Sequence, residues 1–170
     1  LFFNGTLSYK PNLDAVDAIL RHINPLLVKT DGFRYKIIIC GKGLPASYNE
    51  LKNHSIANII YAGFVEDITD YFMSADIFIN PITDGGGIKT KLVEALGYNV
   101  TAVSSVSGAI GVPVSVTGEK MRIATDGDWP AFTRQILTAD TRETIPAAFF
   151  NHFYWGNIAE KAAAVIQEGF

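Results

Sequence analysis

The sequence predicts an α/β fold, a doubly wound parallel sheet of Rossmann-like kind, and three observations carry that prediction. Short apolar runs alternate with stretches of helical period along the chain. One of them, "YKIIICG", is apolar without interruption, as a strand buried on both faces must be. The runs are joined by single helical stretches, and right-handed crossovers of that kind cover a parallel sheet on both sides.

The elements follow in order. Leu1–Phe3 is strand-like and closes at Asn4-Gly5. "PNLDAVDAILRHINPLLVK" repeats apolar residues at Leu13, Val16, Leu20, Ile23 and Leu27, a one-sided helical spacing, with Pro11 suited to a first turn. Pro25 implies a kink or a break. "YKIIICG" is the second strand, "PASYNELKNH" a short helix and "NIIYAG" the third strand. "DITDYFMSA" is a short helix with Asp67 as its N-cap, and "DIFINP" is a strand stopped by Pro81. "PITDGGGIKTKLVEAL" runs from three glycines into a helix to about Leu96, with Ile88, Leu92, Ala95 and Leu96 as its buried stripe. "NVTAVSS" is a strand, residues 104–118 read as a mobile loop, and "KMRIAT" is a last strand. Helical pieces complete the chain around 129–139, 142–152 and 156–168.

The bulk numbers fit one domain. The chain has 170 residues, of which 48% are hydrophobic and 18% charged, enough for a sizeable core. Net charge is −3 with no basic block, which argues against nucleic acid as a partner. The single cysteine, Cys40, sits inside an apolar run and reads as a buried small hydrophobe. No apolar stretch is long enough to span a bilayer. "LFFNG" reads as a strand from its first residue, which suggests a segment of a longer protein with another domain upstream.

Ligands of such sheets bind at the carboxyl ends of the strands. Those ends carry Asn4-Gly5, Gly41-Lys42-Gly43, Gly63-Phe64, Asn80-Pro81 with the glycines, and Ser104-Ser105, all glycine-bearing or small and polar. "CGKGLPA" formally matches a loose dinucleotide fingerprint, but it follows the second strand and lacks an acid at the next strand end; a tight strand–helix turn is the better reading. A phosphoacceptor receiver would need acids clustered at the strand ends, where Asn4, Cys40 and Asn80 stand. His22, His54 and His152 have no ligand spacing, and no G-x-S-x-G elbow occurs. At Asp84-Gly85-Gly86-Gly87 the backbone turns sharply and a ligand can approach without meeting a Cβ. The helix behind it favours an anion. Lys91 and Glu94 share one helical face. Two readings of them stand side by side: contacts to a phosphate and to a sugar's paired hydroxyls, or a surface ion pair.

The ordered motifs resemble the C-terminal, donor-binding domain of retaining GT-B glycosyltransferases of the group 1 (family 4) type. "FFNGTLSYKPNLDAV", "KIIICGKGLP", "IIYAGFVEDITDYFMSADIFINP", "GGGIKTKLVEALGYNVTAVSS" and "FYWGNIAEK" each look like a stretch of that family, in its order and spacing, over residues 1–170. The resemblance implies binding of a nucleotide-diphosphate sugar in a cleft against an N-terminal acceptor lobe. It implies transfer with retention to a saccharide or lipid-linked acceptor, in polysaccharide or glycolipid synthesis. Glu94 matches the second acid of the E-x7-E motif, holding the ribose hydroxyls, and Lys91 a lysine at the diphosphate; these two are the catalytic candidates. Gly5, Thr6 and Lys10 would lie in the first loop, and Gly41 and Gly43 at the second strand's end. Gly63, Phe64 and Val65 would border the base. Asp84, Gly85, Gly86, Gly87, Ile88 and Lys89 would surround donor phosphate or sugar. Gly86 stands where the motif's first acid falls, and Thr6 where an arginine is usual. No metal or cofactor is implied, and nucleic acid is not a partner. The location implied is cytoplasmic, or peripheral at the inner face of a membrane, and the isolated domain would be inactive. Two other readings are a sugar-nucleotide epimerase of GT-B architecture, which an acid-poor rim disfavours, and a degenerate binding module.

Overall fold

The computed structural model describes residues 1–168. Among these, six strands form one parallel sheet in the order β3-β2-β1-β4-β5-β6. The strands are β1 (Phe2–Asn4), β2 (Ile37–Cys40), β3 (Ile59–Gly63), β4 (Ile77–Asn80), β5 (Thr101–Ser105) and β6 (Met121–Ala124). The α-helices are α1 (Lys10–Ala18), α2 (Asn24–Val28), α3 (Thr69–Ser74), α4 (Thr90–Gly97), α5 (Val114–Thr117), α6 (Trp129–Leu137), α7 (Ala147–Phe153) and α8 (Trp155–Glu168). This is the doubly wound parallel sheet the apolar runs predict.

Strand alternation sorts the core into two layers. Phe3, Ile39, Ile79 and Val103 face α1, the turn after it, α2 and α6, where Val16, Ile19, Leu27, Phe132 and Ile136 pack on them. Their neighbours Phe2, Phe78 and Ala102 face the other way, toward Phe72, Leu92, Leu96 and Phe149 of α3, α4 and α7. In that second layer Phe2 meets Phe72 edge-on at 5.2 Å and Phe78 at 6.0 Å. Each such pair adds about 0.5–1.5 kcal/mol beyond area burial.

Six expectations are altered by the structure. Pro25 does not break its helix: Ile19–Ile23 widens into a π-helical turn between α1 and α2, and the backbone stays helical across it. That turn relieves the ring's clash with the preceding turn and the loss of one N–H. The stretch after Pro45 is a 3-10 segment, Ala46–Ala57, not a regular helix. Asn49, Glu50 and Leu51 are left-handed there (φ 47°, 51° and 56°), and Leu51 reaches the core. Residues 104–118 begin as the end of β5 and continue in turns and one helical turn, with Gly108, Ala109 and Val112 buried. Ser104 and Ser105 are themselves buried, so they do not form an open rim. Ile88 is 50% exposed and lies outside the buried stripe, because α4 begins only at Thr90. Asp67 sits one residue before the cap position of α3, yet its Oδ1 accepts from the Thr69 N–H at 2.8 Å, so it does a cap's work.

Candidate functional site

The strand order reverses direction between β1 and β4, so the loops leaving them part company. Two adjoining cavities of about 260 and 310 Å³ open at that point. Asn4, Gly5, Thr6 and Lys91 line both. The first continues along Cys40, Gly41, Lys42, Phe64, Val65, Glu66 and Ile68. The second continues along Tyr9, Asn12, Asn80, Ile82, Gly86, Ile88, Lys89 and Thr90.

The β1 loop is held by local bonds. Asn12 Nδ2 donates to the Thr6 carbonyl at 2.9 Å. A Cβ on Gly5 would come within 2.7 Å of that same amide nitrogen, so the glycine is required by the loop's own anchor. Gly5 N–H donates to the Cys40 carbonyl and Leu7 N–H to the Lys42 carbonyl, tying the loops after β1 and β2 together. Cys40 is 1% exposed, and burial pushes its thiol up to about 11. A thiol of that kind is almost wholly protonated near pH 8 and is a poor nucleophile. Native protein treated with iodoacetamide at pH 8 is therefore expected to stay unmodified at Cys40 by mass spectrometry, while denatured protein reacts fully. Rapid native labelling would contradict a closed cavity floor.

The glycine loop ahead of α4 is curled around a lysine. Gly85 and Gly87 are left-handed (φ 93° and 71°), and the turn brings their carbonyls to Lys89 Nζ at 2.7 and 3.0 Å. Asp84 Oδ1 accepts from the Gly85 N–H at 2.7 Å. The Gly86 and Gly87 N–H groups donate to no group among the described residues. One turn on, Lys91 Nζ donates to Glu94 Oε2 at 2.9 Å, with the two side chains 45% and 33% exposed. This is the ion pair the spacing allows; at that exposure it stabilises the fold by about 0–1 kcal/mol. A cation so weakly committed is free to turn to an anion.

The structure thus gathers Gly5, Thr6, Gly41, Phe64, Val65, Gly86, Ile88, Lys89 and Lys91 around the cleft, with Glu94 paired to Lys91. Gly85 and Gly87 shape the loop beside it, and Asp84 caps Gly85. Three expected residues stand apart. Lys10 is 80% exposed and pairs with Asp14. Gly43 packs against Ser8, and Gly63 lines a separate hollow at the edge strand β3. Lys89 lines the cleft, but its ammonium is turned back into the glycine loop. Sequence reasoning did not select Asn4, Tyr9, Asn12, Lys42, Glu66 or Thr90 as site residues; the strand-end position of Asn4 was the available signal. Asn80 is walled into structure: its Nδ2 donates to Ser104 Oγ at 2.9 Å and to the Gly108 carbonyl at 3.0 Å.

His22 stacks on Trp129 and His152 packs edge-on to Phe153; neither lines the cleft. Among the described residues no group of three or more His, Cys, Asp or Glu is placed to hold a metal ion. No helix among them is long and apolar enough to cross a membrane.

Comparison with known proteins adds to this geometry. A family model described as "Glycosyl transferases group 1" matches residues 1–139. An uncharacterized 44.6 kDa protein in the cps region of Klebsiella pneumoniae is 27% identical over 132 residues, spanning 74% of this chain and 34% of that protein. A glycosyltransferase from Rickettsia africae superposes with TM-score 0.71 at 14% identity, over 98% of this chain and 46% of its own. HepE from Anabaena, solved in complex with UDP-glucose, superposes with TM-score 0.64 at 18% identity, over 86% of this chain and 44% of its own. At those identities the structures support the fold. The chain spans about a third of the length of the Klebsiella protein and less than half of the other two.

Proposed function

From the premise that this chain belongs to the group 1 glycosyl transferases, we propose that it is the donor-binding domain, holding a nucleoside diphosphate sugar in the cleft between β1 and β4. The observation that carries this reading is the cleft itself. It lies at the switch point of the sheet, with Lys91 at the junction of its two cavities and Glu94 bonded to Lys91. HepE, of like fold, binds UDP-glucose, which supports a nucleotide sugar as the ligand class.

In this reading the diphosphate lies against Gly5 and the N-terminus of α4, where the unpaired N–H groups favour an anion. Lys91 turns from Glu94 to the phosphate and meets the charge that builds on the leaving group. Glu94, released, accepts from the ribose hydroxyls. Phe64 and Val65 border the base. No metal takes part in this account, because fixed donors and one lysine supply the countercharge. The glycosyl group passes with retention to a saccharide or lipid-linked acceptor held by a second domain, in polysaccharide or glycolipid synthesis, so this domain alone is inactive. Nucleotide sugars are made in the cytosol, which supports a location in the cytoplasm or at the inner face of a membrane.

Calorimetry of the full-length protein with UDP, GDP and their sugars tests the reading. One pair is expected to bind in the micromolar to low millimolar range. Glu94→Ala is expected to weaken it by roughly 10- to 100-fold, the loss of hydrogen bonds to a charged acceptor. Absence of binding at millimolar nucleotide, with Glu94→Ala indistinguishable from wild type, would remove the reading.

A further inference from the structure

We propose that Asn4 reads a hydroxyl of the transferred sugar: its Oδ1 accepts a hydrogen bond from the glycosyl group, so that the cleft prefers the glycosylated donor to the bare nucleotide. The inference rests on the donor-binding reading above and adds a contact to it.

Asn4 ends β1, directly beside Cys40 in the parallel register, and it lines both cavities. It is 7% exposed, and its Oδ1 has no hydrogen-bond partner among the described residues. Two other buried side-chain oxygens there share that condition, on Asp17 and Thr133, and neither residue lines these cavities. The contrast with Asn80 is direct. That amide, at the end of the neighbouring strand, is bonded to Ser104 and Gly108, so it is a structural group.

An unpaired buried amide oxygen is costly, and native proteins seldom keep one without a use. A leucine would fill the same shape without that cost. The oxygen is an acceptor, so its partner must be a donor. A phosphate oxygen cannot be the partner of Oδ1, since two acceptors repel. The phosphates belong to Lys91 and the free glycine N–H groups. A sugar hydroxyl is the donor that a nucleotide sugar brings to the cavity floor beyond its diphosphate.

The test uses the full-length protein titrated with UDP and UDP-glucose, and with GDP and GDP-mannose, beside thermal melts. Asn4→Leu is expected to lose about 10-fold in affinity for whichever nucleotide sugar binds, about the worth of one hydrogen bond. Its affinity for the matching nucleoside diphosphate is expected to hold within about 2-fold, and its Tm to be equal or higher. Asn4→Ala serves as a second variant with the same expected split. Equal losses for nucleotide and nucleotide sugar, no loss for either, or a lowered Tm in both variants would overturn the proposal. Wild type that binds no nucleotide or nucleotide sugar would instead overturn the donor-binding reading, and the Asn4 contact with it. The two failures are thus told apart by the wild-type titration.

Discussion

Lys91→Ala in the full-length protein is expected to lower kcat by about 10²- to 10³-fold, the usual effect of removing one preorganised charge-stabilising donor. Lys91 is the cation shared by both cavities, and among the described residues its ammonium is held only by the one-third-exposed Glu94 carboxylate. Lys89 also lines the cleft, but three carbonyls of the glycine loop surround its ammonium. Removing Lys91 frees Glu94 into solvent and breaks an exposed pair, so stability should fall by no more than about 1 kcal/mol. Lys91→Arg is expected to recover activity only in part, because a planar guanidinium does not replace a point charge on a flexible stem. Steady-state kinetics beside a thermal melt separates the two effects. Unchanged turnover in Lys91→Ala would place the leaving-group contact elsewhere. A large drop in Tm would instead make the lysine structural.

Gly41→Ala is expected to give the largest loss of stability, about 3 kcal/mol, from forced overpacking. Its Cβ would fall 1.9 Å from the Gly5 carbonyl oxygen, at a backbone φ of +150°. Backbone cannot step aside as a side chain end can. The surrounding bonds leave little play: Gly41 N–H donates to the Gly63 carbonyl at 2.8 Å, and Tyr61 Oη donates to the Gly41 carbonyl at 2.8 Å. Gly41 is bonded to β3 on one side and lies against Gly5 of the β1 loop on the other, so the substitution should also open the cleft and weaken nucleotide binding. Gly86→Ala is the control. Nothing lies within 4 Å of its Cβ position, so its Tm should match wild type. Equal melting of the two variants would contradict the close approach of the loops.

What the sequence revealed, and what it concealed, follows from the range of the forces involved. The strands were legible because runs such as Ile37–Cys40 and Ile77–Asn80 are buried on both faces and so lack polar alternation. Lys91 and Glu94 were legible as a pair because helical spacing alone brings them together. The 3-10 segment Ala46–Ala57 was not legible, since nothing local requires Asn49, Glu50 and Leu51 to be left-handed. Lys89 reads in sequence as a free cation beside glycines, and only the curl of Gly85–Gly87 turns it inward. Ser104 and Ser105 look like a polar rim. They are instead buried partners of Asn80 and Gly108 across two strand ends, a long-range contact with no local pattern. The missing partner of Asn4 could not be read at all, because an unsatisfied oxygen is defined by what surrounds it.

Backbone amide shifts of the full-length protein during titration with UDP or GDP locate the ligand. The expected result is perturbation of Gly5, Thr6, Gly86, Gly87 and Lys91 at the ends of β1 and β4. Residues at the opposite end of the sheet, around Tyr71 and Ala75 in the cavity beside Phe2, should stay unmoved. Shifts confined to Tyr71 and Ala75, or none at millimolar nucleotide, would contradict a donor site at the switch point.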